Sequence, residues 1–442
     1  MSKLYRTIVL LVLVTLVVSC RAPATVAPTK STLPETKTPQ LLETAIVAPT
    51  ESILPEPQIV RHPASADYSH MYPAITAIPT YDPKSKDAWQ VDPQIDLRSQ
   101  DLTKVNMLNS LSDLLSAAFD SKTQWPAADK LPAGFDPQKI MEIGKDPGLG
   151  IRALHAQGIN GKGVGIAIID QTLLVDHVEY KDQIRVYEET SDIAGDNIGE
   201  LQQAQMHGPG IASIVVGKNI GVAPEADLYY IATGVCGGDS TIADLSCLTE
   251  AIKRVIDINT TLPADRKIKV LSISQRGWDS KSKGYDEITA TVNEARNAGI
   301  FVINPNVYES YGFHFEGLGR EALSDPNQFT SYLPAPLWEK EFYKGYAFQN
   351  TLLIPMDSRT TAAPTGINDY AFYRWGDQSW TIAYLTGMYA LAAQVKPDIT
   401  PEEFWAKALA TGKTTQVLNA GKEYPLEIII DPQALINALK SK

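Results

Sequence analysis

Three segments of the sequence place a carboxylate, an imidazole and a hydroxyl where they could cooperate in nucleophilic catalysis. Asp170 ends an apolar run, His207 precedes a run of small residues, and Ser379 begins a long apolar stretch. A serine hydroxyl attacks poorly until an imidazole takes its proton, and a buried carboxylate keeps that imidazole in the required tautomer. Alone, each residue reads as a turn, loop or cap residue. Their order of Asp, His and Ser predicts a catalytic triad.

Short apolar runs alternating with amphipathic stretches would have to position these residues. The runs are apolar at both odd and even positions, which is typical of parallel strands covered on two faces. The predicted strands are residues 164–169, 228–232, 268–273, 300–303 and 352–355, and the predicted helices are residues 210–216, 242–258, 285–297, 379–395 and 401–409. This alternation predicts an α/β fold with a doubly wound, mostly parallel sheet and helices on both faces. A further helical pattern covers residues 102–119.

The residues around the aspartate and the histidine resemble those of the subtilisin-like serine peptidases, the subtilases or peptidase S8 family. The similar stretches are Gly161-Lys-Gly-Val with Ile-Ile-Asp170, His207-Gly-Pro-Gly-Ile-Ala-Ser-Ile, and Gly221-Val-Ala-Pro. The resemblance extends over about residues 150–395. It implies that Asp170 orients the imidazole, that His207 acts as general base and then acid, and that Ser379 forms the acyl-enzyme. An extracytoplasmic serine endopeptidase acting on proteins or peptides is therefore expected.

The serine block departs from the family pattern. Subtilases usually carry Gly-Thr-Ser followed by Met-Ala-Ala-Pro, whereas this chain reads Asp377-Gln-Ser379-Trp-Thr-Ile-Ala383. The catalytic aspartate is followed by Gln171-Thr172 in place of the usual Ser/Thr-Gly. These departures leave a second function open, in which a catalytically decayed, subtilase-like lipoprotein binds peptides or protein partners.

Oxyanion and substrate contacts are assigned by the same resemblance. Asn306 fits the oxyanion position, Asn304 is its competitor, and a plain Asn-Pro-Asn turn is the alternative. The strand with Ser272, Ser274 and Gly277 resembles the one that pairs with an extended peptide, and residues 234–248 would form the opposite wall. Arg320, Asp357 and Arg359 could shape the cleft, but surface ion pairs are the simpler expectation.

The first sixty residues predict export and anchoring. Lys3 and Arg6 precede an apolar stretch that is too short to span a bilayer comfortably, and Val-Val-Ser-Cys20 resembles a lipobox. Cys20 is thus the expected lipidation site, and an ordinary secretory signal is the alternative. The predicted organisation is a lipoprotein signal peptide at 1–19, a Pro/Thr-rich tether at 20–60, an N-terminal extension at 61–145 and a catalytic domain at 146–442. The predicted location is the extracytoplasmic face of a bacterial cell membrane, with the lipid bilayer as a partner.

Composition excludes several other classes of protein. A net charge of −12 argues against a nucleic-acid partner. Apart from Cys20, the cysteines are Cys236 and Cys247, for which a disulfide and two free buried thiols are both open. The sequence lacks a His-x-x-x-His or Cys-x-x-Cys ligand set and a P-loop, so no metal site or cofactor is predicted. Many subtilases bind structural calcium, but no oxygen-ligand loop stands out here.

Overall fold

A central parallel sheet is built around strands that carry apolar side chains on both faces. The computed structural model describes residues 56–68, 74–81, 95–190, 203–234, 244–274, 277–345, 348 and 350–440. The strands are β1 Gln58–Ile59, β2 Ile95–Asp96, β3 Ala117–Asp120, β4 Gly165–Asp170, β5 Ile184–Glu189, β6 Asp227–Ala232, β7 Ile268–Ile273, β8 Phe301–Ile303, β9 His314–Arg320, β10 Tyr332–Pro334, β11 Thr351–Pro355, β12 Arg359–Ala362, β13 Tyr370–Tyr373, β14 Lys413–Asn419 and β15 Lys422–Ile429. The central sheet has the order β1-β5-β6-β4-β7-β8, and all its pairings are parallel.

Helices cover both faces of this sheet. The helices of the described residues are Leu111–Leu115, Pro137–Gly144, Ile151–His155, His207–Val216, Ser246–Thr261, Tyr285–Asn297, Val307–Tyr311, Glu339–Tyr343, Gln378–Val395, Pro401–Thr411 and Pro432–Lys440. Ile166 and Ile168 of β4 lie in one apolar cluster with residues of Gln378–Val395. Ala167 and Ile169 lie in a second cluster, with residues of Ser246–Thr261. The predicted doubly wound α/β fold is thereby confirmed.

Two helices carry candidate catalytic residues and are named accordingly below. The histidine helix is His207–Val216, and the serine helix is Gln378–Val395. The serine helix is apolar along most of its length and is buried from Ser379 to Ala393. None of the helices in the described parts of the chain is both long and apolar enough to cross a membrane.

Two predictions of local structure need correction. The run at 352–355 is a strand as predicted, but it does not belong to the central parallel sheet. It is β11 of a separate five-stranded sheet of order β10-β9-β11-β15-β14. The helix predicted over residues 102–119 is wrong, because only Leu111–Leu115 is helical and β3 begins at Ala117. Side-chain hydrogen bonds to the backbone compete here with the hydrogen bonds of a helix. For example, Asn106 Oδ1 accepts from Leu108 N at 3.2 Å.

The N-terminal extension contributes strands to sheets that later segments build. β1, which lies at the end of the predicted tether and before the extension, pairs with β5 at the edge of the central sheet. A four-stranded sheet has the order β12-β13-β3-β2, so two strands of the extension continue a hairpin formed about 250 residues later. Residues 1–55, including the predicted signal peptide and Cys20, lie outside the described residues.

Candidate active site

Asp170 and His207 meet at the carboxyl edge of the central sheet. β4 ends at Asp170, whose side chain is fully buried, and His207 is the first residue of the histidine helix. His207 Nδ1 lies 2.6 Å from Asp170 Oδ1. A carboxylate only accepts hydrogen bonds, so Nδ1 carries the proton and Nε2 is the nitrogen left to act as a base. Nε2 makes no hydrogen bond to another residue of the described chain.

Two further donors fix the Asp170 carboxylate. Gln171 N donates to Oδ1 at 2.7 Å, and Ser274 Oγ donates to Oδ2 at 3.2 Å. Ser274 directly follows β7, the neighbour of β4, so adjacent parallel strands end side by side and bring the two residues together. The buried charge is hydrogen-bonded at both oxygens, which compensates for its loss of water.

Opposing effects set the proton affinity of His207. Burial lowers the pKa of its imidazole, but the charge and hydrogen bond of Asp170, together with the charge of Asp377, raise that pKa above its ordinary value. The imidazolium formed when His207 accepts a proton is therefore stabilised in place. The site favours proton transfer to this histidine.

Ser379 lies in the first turn of the serine helix. The side chain of Asp377 caps the helix by accepting from Gln378 N. In this turn the backbone N–H groups lack intrahelical acceptors and favour negative charge. Ser379 Oγ donates to the carbonyl oxygen of Ser274 at 3.0 Å, and it forms no hydrogen bond with His207 in the structure. Ser274 thus contacts both the predicted nucleophile and the orienting carboxylate.

Trp380, the residue after Ser379, packs against the His207 ring. Its ring makes an edge contact with the His207 ring at a centroid distance of 5.7 Å and another with Tyr373 at 5.4 Å. The large side chain next to Ser379 therefore limits how the imidazole can move. Sequence reasoning noted the unusual residue after the serine but did not assign it this contact.

The two candidate oxyanion residues occupy different environments. Asn304 is fully buried; its Oδ1 accepts from Asn306 N at 2.6 Å, and its Nδ2 has no hydrogen-bond partner. Asn306 is half-buried and its Oδ1 accepts from Trp278 N at 2.7 Å. The predicted turn is present too, since Val307 N donates to the Asn304 carbonyl at 3.1 Å. Of the two residues, Asn306 is partly exposed to solvent and Asn304 is not.

The predicted substrate strand is only partly placed at the site. Ser272 is fully buried and pairs with Ile168 on one side and Ile303 on the other, so its main chain is not free to pair with a peptide. Its assignment as a substrate contact is therefore corrected. Ser274 and Gly277 lie beyond the strand end. A side chain at Gly277 would collide with Asn306 Oδ1, because an added Cβ would lie 2.6 Å from it.

Part of the predicted opposite wall, with Cys236, lies outside the described residues. Cys247 begins the buried face of helix Ser246–Thr261 and is disulfide-bonded. Within the described ranges, no group of three or more His, Cys, Asp or Glu side chains is arranged to hold a metal ion.

Comparison with known proteins bears on the same segments. Residues 161–308 match the family model for the subtilases. The subtilase match contains Asp170, His207, Ser274 and Asn306 but ends before Ser379. No curated protein matches the chain.

Among solved structures, the prenylagaramide maturation protease PagA has 14% identity and a TM-score of 0.43, and the match covers 66% of this chain and 98% of PagA. The PatG macrocyclase domain has 12% identity and a TM-score of 0.42, covering 66% of this chain and 95% of that domain.

Proposed function

We propose that the chain is a subtilase-type serine endopeptidase that hydrolyses peptide bonds in protein or peptide substrates. The observation that carries the proposal is the 2.6 Å contact between His207 Nδ1 and the buried Asp170 carboxylate. It holds a basic Nε2 at the sheet edge. Ser379 reaches the same edge through its 3.0 Å bond to Ser274. The subtilase match over residues 161–308 supports the same chemistry.

In the proposed reaction, Ser379 Oγ turns from Ser274 toward His207. Nε2 takes the hydroxyl proton while Oγ attacks the scissile carbonyl carbon and forms a tetrahedral oxyanion. The first-turn N–H of Ser379 and the amide of Asn306 donate to that oxyanion. The imidazolium then gives its proton to the leaving amine as the C–N bond breaks. Water repeats the cycle on the acyl-enzyme, releasing the acid and restoring the Ser379 hydroxyl.

A fluorophosphonate probe tests this proposal directly, because it esterifies only a serine that a neighbouring base activates. We expect stoichiometric labelling of the folded wild-type protein at Ser379. Labelling should disappear in Ser379→Ala and in His207→Ala. His62→Ala is the matched control, since His62 also contacts an aspartate, Asp176 at 2.9 Å, but with both side chains about half exposed. Labelling that survives in His207→Ala would contradict the proposed mechanism.

One observation favours the second function. Among the residues that the structure describes, Ser379 Oγ bonds the main chain of Ser274 and does not bond the imidazole. A protein that keeps this arrangement would bind peptides along the sheet edge without cleaving them. Absence of labelling in a well-folded wild-type protein, together with saturable binding of an unstructured peptide, would support this function instead.

The location proposed for the enzyme is the extracytoplasmic face of a bacterial membrane, anchored through acylated Cys20. The lipobox-like sequence and the Pro/Thr-rich tether support this proposal. Expression of Cys20→Ala in a bacterial host tests it. We expect the variant to move from the detergent phase to the aqueous phase in a Triton X-114 partition, and an unchanged partition would contradict the lipid anchor.

A further inference from the structure

The serine helix is connected to β13 by a short turn, residues 374–377, whose position determines where Ser379 lies. Gly376 in this turn is closely packed. An added Cβ there would lie 2.6 Å from the carbonyl oxygen of Met356, so no side chain fits. The turn is thus pressed against the segment that follows β11.

Asp357 in that segment holds the turn by a direct bond. Its Oδ1 accepts from Gly376 N at 2.7 Å, and its side chain is fully buried. Its Oδ2 has no hydrogen-bond partner and lies 3.8 Å from Nη1 of the buried Arg374. Oδ1 of the carboxylate therefore accepts a hydrogen bond from the turn, whereas Oδ2 is the oxygen that can be protonated.

Hydrogen bonds to two other segments fix the backbone around Asp357. Ser358 has a φ of 55°, which is uncommon for a residue other than glycine. Asp357 N donates to Leu318 O at 3.2 Å, and Ser358 N donates to Arg374 O at 3.1 Å. Ser358 Oγ also donates to Arg320 O. These bonds tie the segment to β9 on one side and to the turn on the other.

We propose that Asp357 is a positioning residue that fixes the 374–377 turn and, through it, the nucleophile Ser379. This inference rests on the proposed function. It assigns a role to a buried Asp/Arg group that the sequence placed at the surface; Arg320, Asp357 and Arg359 are all nearly fully buried. An ionised carboxylate gives a charge-assisted bond to Gly376 N, roughly twice as strong as a neutral one.

The charges around Asp357 make this anchor dependent on pH. Burial raises the pKa of its carboxyl to about 7, although the nearby Arg374 and Arg320 and the bond from Gly376 N lower it; Glu321 adds to the increase. Tyr81 is a further titratable neighbour, since Asp357 contributes, after burial, to the raised pKa of its hydroxyl. Below about pH 7 a proton occupies Oδ2, and the bond to Gly376 loses its charge assistance.

The test compares Asp357→Asn with the wild-type full chain. Asparagine keeps an oxygen acceptor for Gly376 N but cannot ionise. At pH 8.5 we expect kcat for peptide hydrolysis to fall roughly tenfold with KM nearly unchanged. The acid limb of the wild-type profile should be steeper than one proton, because His207 and Asp357 both titrate there. The variant should show a one-proton slope.

Asp101→Asn is the matched control, since Asp101 Oδ1 also accepts from a backbone N–H of a turn, Thr103 N at 3.0 Å, but from an exposed position and without a bond to residues 374–377. We expect its kcat and its acid limb to match the wild type. An unchanged kcat and slope in Asp357→Asn would overturn the proposal.

Hydrogen exchange of the peptide that contains Gly376 separates this inference from the proposed function, because it needs no catalysis. In the wild-type protein, local opening that breaks the Gly376 bond while Asp357 stays buried becomes less favourable as Asp357 ionises, so under conditions where exchange follows this local opening the protection of that peptide, corrected for intrinsic exchange, should rise between pH 6 and 8.5. Opening that exposes Asp357 to water would change protection in the opposite direction. Protection that does not change over this range would overturn the anchoring role even if Asp357→Asn fails to fold. A rise in a protein that does not label with fluorophosphonate would retain the anchor and reject the peptidase.

Discussion

Replacing Asp170 with asparagine removes the charge of the proposed triad while preserving its hydrogen bonds. Asp170 Oδ1 faces two N–H donors, His207 Nδ1 at 2.6 Å and Gln171 N at 2.7 Å. Oδ2 faces the Ser274 hydroxyl, which can rotate to accept. The asparagine oxygen should therefore occupy the Oδ1 position and its NH₂ the Oδ2 position. His207 then keeps its proton on Nδ1, and only the charge is lost.

The size of the effect follows from the lost attraction between the carboxylate and the imidazolium. Two unit charges about 4 Å apart at an effective dielectric constant near 20 interact by about 4 kcal/mol. Losing this interaction in the transition state lowers kcat by roughly 10³-fold. The expected loss is smaller than the roughly 10⁴-fold found where the same substitution also reverses the tautomer.

The pH profile should move in a defined direction. In the wild-type protein Asp170 and Asp377 raise the pKa of His207 against the effect of burial, so activity falls as pH drops through a value above the ordinary histidine range. In Asp170→Asn the effect of burial remains and the larger opposing charge is gone. The acid limb should therefore move to lower pH.

Rates of fluorophosphonate labelling between pH 5 and 9 measure both the size of the rate loss and the position of the acid limb, because labelling also requires His207 to take the Ser379 proton. Asp176→Asn is the control, because Asp176 pairs with His62 in an exposed position and should leave the rate and the profile unchanged. A loss of less than tenfold in Asp170→Asn, or an acid limb displaced to higher pH, would refute the electrostatic role assigned to Asp170.

Two further predictions concern the oxyanion and the extension. Asn306→Ala should lower kcat by about 10²- to 10³-fold with little loss of stability. Asn304→Ala removes a buried acceptor and should instead lower the free energy of unfolding by about 1–3 kcal/mol. Kinetics and urea unfolding distinguish the two variants, and the reverse pattern would exchange the roles of the two asparagines. Arg98→Met should remove about 1.5–3 kcal/mol of stability, because Arg98 donates charge-assisted bonds to Tyr373 Oη at 2.8 Å and to Asp96 at 2.6 and 2.9 Å; an unchanged urea midpoint would show that these bonds together contribute nothing.

Four strands of the central sheet, β4, β6, β7 and β8, were predictable because they are largely apolar at both parities, whereas β1 and the more polar β5 were not predicted. β7 and helix Tyr285–Asn297 were predicted with the residue ranges that the structure gives them. Residues 102–119 misled the prediction because Leu102, Val105 and Leu114 are all buried without belonging to one helix. Buried irregular chain and an amphipathic helix can share the same apolar spacing, and only tertiary contacts separate them.

The site was less predictable than the fold. Residue types and order were enough to nominate Asp170, His207 and Ser379, since their chemistry depends on those types. The roles of Ser274 and Asp357 depend on main-chain contacts between segments far apart in sequence, which leave no pattern in either segment. Asp357 is also an exception to the rule that charged residues lie at the surface, because the buried Arg374 lies next to it and offsets its charge.

The extension shows how distant segments combine at this site. β3 pairs with β13, and the chain runs from β13 through the 374–377 turn directly into the serine helix. Arg98 bonds Tyr373, the Tyr373 ring contacts Trp380, and Trp380 contacts the His207 ring. Removal of residues up to 145 would strip β2 and β3 from their sheet and uncover Phe372 of β13, which packs on Phe119. We therefore expect active protein to retain residues 95–145, as part of the structure that holds the imidazole and not as a cleavable propeptide.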